Sequence, residues 1–265
     1  MNTGADTLKV SKITKIYSDE FGTKRKVLED ISFEINNSSP KMMSILAPFG
    51  GGKSTLLRII AGIEKPSDGD IILNAEKYLQ PNGKLVLIPE KSPSLPWLNV
   101  KENIELACRL DTCRKKAGSV EINDLIGMVG LSGYENHYPH NSSLGFRFRI
   151  SLARALLFNP FVLLLDDCFK KMDAVAREEM YELLKFVLTK VDTSFLLATT
   201  NILEAVRLSG KIFLMGKDPG KILNEINVSE DSFENYSDYG IQKYIKLIES
   251  AYDDKILPGS INFSI

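Results

Sequence analysis

The sequence predicts an α/β fold in which a mostly parallel β-sheet carries helices on its faces. From residue 42 onward, short apolar strands alternate with amphipathic helical segments. A glycine-rich loop lies between the strand MMSILA and the helix KSTLLRIIAGI, and the apolar strand FVLLLDD ends in two carboxylates. The chain has 265 residues, of which 44% are hydrophobic, so it is long and apolar enough to form a large core.

The N-terminal region predicts a separate antiparallel element. LKVSKITKIY and VLEDISFEIN alternate apolar and polar residues, and the charged segment SDEFGTKRK joins them. DIILN and KLVLIP predict further strands after the glycine loop. We therefore expect an antiparallel β subdomain beside the parallel sheet.

The middle of the chain predicts a helical subdomain at roughly 98–160. Asn99 and Glu102 have the spacing of a capping box ahead of NVKENIELACRL. EINDLIGMVGL predicts a second helix that ends near Gly130, and residues 145–157 predict a third. Further on, Asp173 can cap a long helix. The apolar face of that helix comprises Met180, Leu183, Leu184, Val187 and Leu188.

The last part of the predicted sheet comprises the strand SFLLA, the helix ILEAVRL and a final strand, KIFLMG. Beyond residue 228 the chain becomes acidic and rich in tyrosine, with one weak helical segment, IQKYIKLIESAY. We predict a main domain at 1–228 and a C-terminal extension at 229–265.

Charge and cysteine content exclude several classes of protein. Lys and Arg number 33 against 34 Asp and Glu, so no global basic field favours nucleic acid as a partner. The three cysteines match neither a disulfide framework nor a zinc site, which indicates a reducing compartment. We find no secretory signal and no spanning segment, so we expect a soluble, cytoplasmic protein.

The strongest local motif is the glycine loop, which matches G-x-x-x-x-G-K-[ST] except that Ala47 replaces its first glycine. Such a loop points its amide groups at phosphate oxygens, and the following helix presents its positive end to the anion. Lys53 would add a charge for the β- and γ-phosphates, and the Ser54 hydroxyl would bind Mg²⁺. The predicted nucleotide-binding residues are Gly50, Gly51, Gly52, Lys53, Ser54 and Thr55.

A second motif supports a P-loop nucleoside triphosphatase core. The strand at 162–165 ends in Asp166 and Asp167. In P-loop proteins a carboxylate at this point holds Mg²⁺. We therefore predict a nucleoside triphosphate and Mg²⁺ as ligands, with Asp166 on the metal.

With both motifs in place, residues 7–217 resemble the ATP-binding subunit of an ABC transporter. SLPWLNVKENIEL (94–106) resembles the segment after the family's Q-loop, in the branch of nitrate, sulfonate and taurine importers. Residues 138–167 follow the family's register from signature motif to Walker B strand, and 198–205 match the switch region. Tyr17 lies where the family has an adenine-stacking aromatic residue; the alternative is an ordinary tyrosine in a strand.

The resemblance also locates three altered catalytic positions. Glu90 stands at the Q-loop glutamine position, where its carboxylate could still bind a cation. Asp167 replaces the catalytic glutamate with a side chain one methylene shorter, and Thr200 replaces the switch histidine. Asp167 remains the candidate base, with Glu90 and Thr200 as the other catalytic positions.

The motifs that face a partner subunit are altered as well. Ser143 and Gly145 of the signature are kept for nucleotide contact, but Leu144 replaces a glycine between them. The D-loop keeps only its final acid, Asp173, and Lys171 lies two residues before it.

Three functions follow from the resemblance. The first is an ATP-binding subunit that couples ATP binding, with slow hydrolysis, to the transport of a small solute. The second is an inactive regulatory subunit or heterodimer half that gates an assembly without hydrolysis. The third, an ABC ATPase acting on nucleic acid, lacks the expected coiled-coil arms or second ATPase domain.

The resemblance implies two protein partners, a transmembrane permease and a second ATP-binding subunit in a head-to-tail dimer. It places the protein on the inner face of the cell membrane. Because both sites of a homodimer would carry every altered position, we favour a heterodimer as a hypothesis. Neither the solute nor the direction of transport follows from this chain.

Overall fold

The computed structural model describes residues 6–78, 80–91, 94–109, 122–229 and 238–253. Cys113 and residues 230–237 and 254–265 of the predicted C-terminal extension lie outside these residues. The chain divides into two compact units, one formed by residues 1–80 and 196–265 and the other by residues 81–195. The predicted helical subdomain falls within the second unit; its limits, and the domain boundary at residue 228, stay predictions.

The described elements are numbered in chain order. The strands are β1 (Thr7–Ser18), β2 (Lys24–Asn36), β3 (Met42–Leu46), β4 (Asp68–Leu73), β5 (Glu76–Lys77), β6 (Leu85–Ile88), β7 (Val162–Asp166), β8 (Ser194–Thr199), β9 (Lys211–Met215) and β10 (Ile222–Asn227). The α-helices are α1 (Lys53–Ile60), α2 (Val100–Glu105), α3 (Ile122–Met128), α4 (Leu144–Leu156), α5 (Ala174–Leu188), α6 (Ile202–Leu208) and α7 (Asp238–Asp253).

The first unit contains the predicted antiparallel sheet, with strand order β2-β1-β4-β5. β1 pairs antiparallel with both neighbours, so that Val10 lies opposite Phe33 on one side and Ile71 on the other. These three side chains are buried, because alternate residues of a strand point to one face. The predicted β subdomain is therefore confirmed.

The first unit also contains a sheet with the order β10-β9-β3-β8, in which β3 and β9 are parallel. All five residues of β3 are buried, as expected for a parallel strand covered on both faces. The chain enters this unit within β8, at Leu196.

The prediction that KIFLMG is the last strand is wrong, because β10 follows it and pairs antiparallel with β9. In β10 only Ile226 is buried, while Asn224, Glu225 and Asn227 are exposed. An edge strand of this composition forms through its pairing with β9, so its apolar pattern is too weak to recognise in the sequence.

The weak helix predicted in the C-terminal extension is present as α7. Ile248 and Tyr252 of α7 are fully buried and pack with residues of α6, β9 and β10. The helix therefore contributes to the core of the first unit.

In the second unit β6 and β7 form a parallel pair. The capping box at Asn99 and Glu102 is confirmed, but α2 ends at Glu105 and continues only as a 3₁₀ turn to Arg109. Asp173 caps α5 through the amide of Ala176, at 2.8 Å, as predicted. Among the described helices, none combines the length and the apolar character that a membrane crossing requires.

Three aromatic rings connect the elements around the end of β7. Phe169 lies just after that strand, and its ring centroid is 5.1 Å from that of Phe148 in α4. The ring of Tyr181 in α5 is 5.6 Å away on another side. Edge-to-face contacts of this kind fix ring positions, so the loop after β7 is anchored to both helices.

Candidate nucleotide-binding site

The glycine loop between β3 and α1 has a backbone that requires glycine. Gly50 and Gly52 have φ angles of +81° and +89°, in the left-handed region. A β-carbon on Gly52 would lie 2.7 Å from Cδ2 of Leu28, and one on Gly51 would lie 3.1 Å from the carbonyl oxygen of Gly216. The glycine loop is therefore closely packed against Leu28 and Gly216, and its backbone conformation is restricted as well.

Lys53 lies over this loop and is only 5% exposed. Its Nζ donates to the carbonyl oxygen of Ala47 at 3.3 Å. The first helical turn, Lys53 to Leu56, contains no carboxylate, so the positive end of α1 and the ammonium group act together. Such an arrangement suits a polyanion such as a nucleotide phosphate chain.

Tyr17 lies beside the same helix. Its hydroxyl donates to Glu64 and is 3.4 Å from Oγ1 of Thr55, while Nζ of Lys15 is 4.9 Å from the ring centroid. Partial burial raises the pKa of Glu64, but hydrogen bonds from Tyr17 and Lys15 outweigh this and lower it overall. The network holds a 38% exposed aromatic ring next to the loop helix.

Thr200 follows β8 at a buried position close to the start of the glycine loop. The carbonyl oxygen of the preceding Thr199 accepts from the amide of Ala47 at 3.2 Å. The Thr199 hydroxyl donates to Glu204, whose amide is capped by Asn201 at 2.9 Å. The sequence predicted the helix ILEAVRL but did not single out Glu204, which the Asn-x-x-Glu spacing at 201–204 could have indicated as part of a capping motif.

In the second unit the two carboxylates at the end of the apolar strand differ in burial and in backbone conformation. Asp166 is the last residue of β7 and is buried. Asp167 adopts a φ of +43°, which is uncommon for a residue with a side chain. The tight turn after it is closed by the amide of Lys170, which donates to the Asp167 carbonyl oxygen at 3.3 Å.

Glu90 forms an ion pair with Lys171, with 2.9 Å between Oε1 and Nζ. The hydrogen bond from Lys171 is the largest effect on the pKa of Glu90 and lowers it, with smaller contributions from the charges of Lys170 and Lys91. Glu90 is therefore a carboxylate at neutral pH, and its charge is balanced by a lysine of the D-loop.

A cleft of about 150 Å³ brings several of these groups together within the second unit. Its lining residues are Glu90, Lys91, Leu144, Arg147, Asp167, Cys168, Lys171 and Met172. Two of the three predicted catalytic positions thus share one cleft with the leucine that interrupts the signature motif.

The retained signature residues have structural roles in this unit. Ser143 caps α4 by accepting from the amide of Phe146 at 3.2 Å. Gly145 is buried, but a β-carbon there would lie 3.7 Å from the nearest atom, Cε of Met180, which is ordinary contact. Leu144 is 39% exposed.

A buried lysine over a glycine loop, between a parallel strand and a helix, defines a P-loop nucleotide-binding protein. The family model for ABC transporters matches residues 28–170, and the chain belongs to this family. It is an ATP-binding subunit of an ABC transporter.

Curated relatives extend the match over most of the chain. The aliphatic sulfonates import ATP-binding protein SsuB of Bacillus cereus is 36% identical over 216 residues, which cover 82% of this chain and 84% of the relative. The taurine import ATP-binding protein TauB of Yersinia pestis is 34% identical and covers 77% of this chain and 80% of the relative.

Solved structures agree on the fold. A dimeric structure of MJ0796, a bacterial ABC transporter cassette, is 24% identical with a TM-score of 0.70, covering 84% of this chain and 99% of that one. The cbiO1 protein of Clostridium perfringens, part of the transporter complex cbiONQ, has a TM-score of 0.71 at 22% identity, covering 94% of this chain and 98% of that one. The predicted ABC ATPase fold is therefore confirmed.

Proposed function

We propose that the chain binds MgATP and couples this binding, with slow hydrolysis, to solute import through a permease. The observation that carries the proposal is the glycine loop with the buried Lys53 lying over it. Gly50, Gly51, Gly52 and Thr55 would shape the phosphate site with Lys53, and Tyr17 would stack on the base. Ser143 and Gly145 would contact the nucleotide of a partner subunit, as the family resemblance implies.

The chemistry of the side chains suits Mg²⁺ as the metal. The hydroxyl of Ser54 and the carboxylate of Asp166 are hard oxygen donors of the kind that Mg²⁺ prefers. Bound Mg²⁺ would neutralise charge on the phosphates. Glu90 could contribute a third oxygen only by leaving its ion pair with Lys171.

Slow hydrolysis follows from the altered catalytic positions. In our proposal Asp167 would act as the general base, but its side chain is short, so its carboxylate would lie about 1 Å from the best position. A misplacement of this size costs roughly 10²-fold in rate. Thr200 would donate a hydrogen bond but carries no charge.

The test measures bound ATP and released phosphate together in the purified protein, with Lys53→Ala as the control for contaminating ATPases. We expect MgATP binding with little phosphate release. ATP binding that survives Lys53→Ala unchanged would contradict the proposal.

A regulatory subunit or heterodimer half without hydrolysis is the second candidate. It is favoured by the ion pair that engages Glu90, because that carboxylate is occupied by Lys171. Molecular mass by light scattering with ATP present, together with the phosphate-release assay, tests it. A homodimer that turns over ATP at an ordinary rate would exclude it, whereas a monomer would direct the search to a catalytic partner.

We propose small organosulfonates as the solute class, and association with a permease on the cytoplasmic side of the membrane. The names of the SsuB and TauB relatives support this proposal. Uptake of radiolabelled taurine and of a longer alkanesulfonate, by cells with and without Lys53→Ala, tests it. Uptake that is independent of Lys53 would contradict it.

A further inference from the structure

The C-terminal helix α7 packs against the end of β3, the strand that leads into the glycine loop. Its residues Ile248 and Tyr252 are 0% and 1% exposed. They pack in one cluster with Leu46 at the end of β3 and with apolar residues of α6, β9 and β10. The helix is thus docked by its own apolar face, as an amphipathic helix requires for stability.

The hydroxyl of Tyr252 lies at the carboxyl ends of two neighbouring parallel strands. Its single proton is shared between the carbonyl oxygens of Leu46, at 2.9 Å, and Met215, at 3.1 Å. Both acceptors are terminal strand residues, of β3 and β9. Burial raises the pKa of Tyr252 above its ordinary value, so the phenol keeps its proton and remains a donor at neutral pH.

These two carbonyl groups lie at the ends of β3 and β9, next to the start of the phosphate loop. Ala47, the first residue of the loop, follows Leu46 directly. β9 continues into Gly216, whose carbonyl oxygen would lie 3.1 Å from a β-carbon on Gly51. A β-carbon on Gly220 would lie 2.3 Å from the Gly51 carbonyl oxygen.

The glycine loop therefore packs against the chain that follows β9, at Gly216 and Gly220. Next to this contact, the Tyr252 hydroxyl bonds to the last carbonyl groups of β3 and β9. The phenol spans 206 residues of sequence to reach Leu46.

We propose that Tyr252 is a positioning residue for nucleotide binding, and that α7 braces the phosphate loop by linking the ends of β3 and β9. The inference rests on the proposed function, because it assigns the loop to ATP. It extends that function to a segment beyond the motifs that contact the nucleotide. Docking of α7 and the shape of the phosphate site are then coupled.

The experiment compares Tyr252→Phe with a matched control in the same helix, Tyr244→Phe. Each variant removes one phenolic oxygen, but the Tyr244 hydroxyl contacts the amide of Ser229, at 3.0 Å, away from the loop. A third variant, Ile248→Ala, removes buried packing while leaving the Tyr252 phenol in place. The measurements are amide hydrogen exchange of the nucleotide-free protein, the Kd for MgATP and the melting temperature.

The amides of Ala47 and Gly51 serve as reporters, because both are hydrogen bonded within the loop region, to Thr199 and Pro48. A net hydrogen bond is worth about 1 kcal/mol, so we expect their exchange to be about 3- to 10-fold faster in Tyr252→Phe. We expect the Kd for MgATP to rise by a similar factor. Tyr244→Phe should change neither quantity, and Ile248→Ala should lower the melting temperature with a smaller effect on the loop.

Equal loop exchange in Tyr252→Phe and in the wild-type protein would overturn the inference, even if the melting temperature falls. So would equal effects of Tyr252→Phe and Tyr244→Phe. If the wild-type protein fails to bind ATP, the proposed function fails, but the exchange comparison still decides whether Tyr252 positions the loop.

Discussion

In the glycine loop, both the backbone conformation and the side chains suit the binding of a phosphate chain. Gly50 and Gly52 occupy conformations that favour glycine, and Lys53 is buried over the loop they form. Around Asp167 the side chains differ from the pattern of the family that the sequence resembles. Asp167 is one methylene shorter than the family's glutamate, and Leu144 interrupts the signature motif. Lys171 forms an ion pair with Glu90.

The contrast separates two requirements of the family. Holding a phosphate chain depends mainly on backbone amides and one ammonium group, so it tolerates little change in the loop. Activating water depends on side chains placed to within about 1 Å, so it can be lost through a few conservative substitutions. In the function proposed above, this chain meets the first requirement, and its side chains for the second are altered.

The largest effect should come from Lys53→Ala. Removing a charge-assisted contact to phosphate costs about 3 kcal/mol, so we expect the Kd for MgATP to rise roughly 100-fold. Isothermal titration calorimetry would measure it, with Lys9→Ala on the exposed side of β1 as the control. An unchanged Kd would mean that the loop is not the nucleotide site.

Asp167→Glu tests the other region. Restoring the missing methylene should bring the carboxylate closer to the attacking water, so we expect phosphate release to rise by up to about 10²-fold. The matched control is Asp124→Glu on the exposed face of α3. If the rate does not change, the short side chain is not what limits hydrolysis.

Glycines of the two regions should differ in their tolerance of alanine. Gly52→Ala places a β-carbon 2.7 Å from Leu28 at a φ of +89°, so we expect a loss of about 1–3 kcal/mol in the free energy of unfolding, and weaker ATP binding. Gly145→Ala meets only ordinary contact with Met180 and should be tolerated. Urea denaturation of both variants measures this; equal losses would contradict the comparison.

The smallest effect concerns the Glu90–Lys171 pair, which is exposed to solvent. Lys171→Gln should lower the free energy of unfolding at pH 7 by less than about 1 kcal/mol. Because the pKa of Glu90 is lowered in the folded protein, its contribution is present above the ordinary value of 4.5 and is lost as the pH falls through the lowered pKa.

Denaturation curves at several pH values measure this difference, with Lys185→Gln, which breaks the exposed pair with Glu182, as the control. A difference that grows toward low pH would contradict the assignment.

The sequence by itself determined the features that depend on local pattern. The glycine loop, the apolar strand that ends at Asp166, the capping box at Asn99 and the cap at Asp173 are all encoded within a few residues. Helix and strand periods are also local, so the order of strands and helices around the loop followed from them.

Tertiary structure alone decided the contacts between residues far apart in the chain. β10 forms only by pairing with β9, Lys171 meets Glu90 across 81 residues, and the Tyr252 hydroxyl reaches Leu46 across 206. Neither a carboxylate's counter-charge nor a phenol's acceptor leaves a periodic trace in sequence, because each depends on where the folded backbone brings distant segments together. For the same reason, the helical pattern of α7 was visible in the sequence, but its place in the core of the first unit was not.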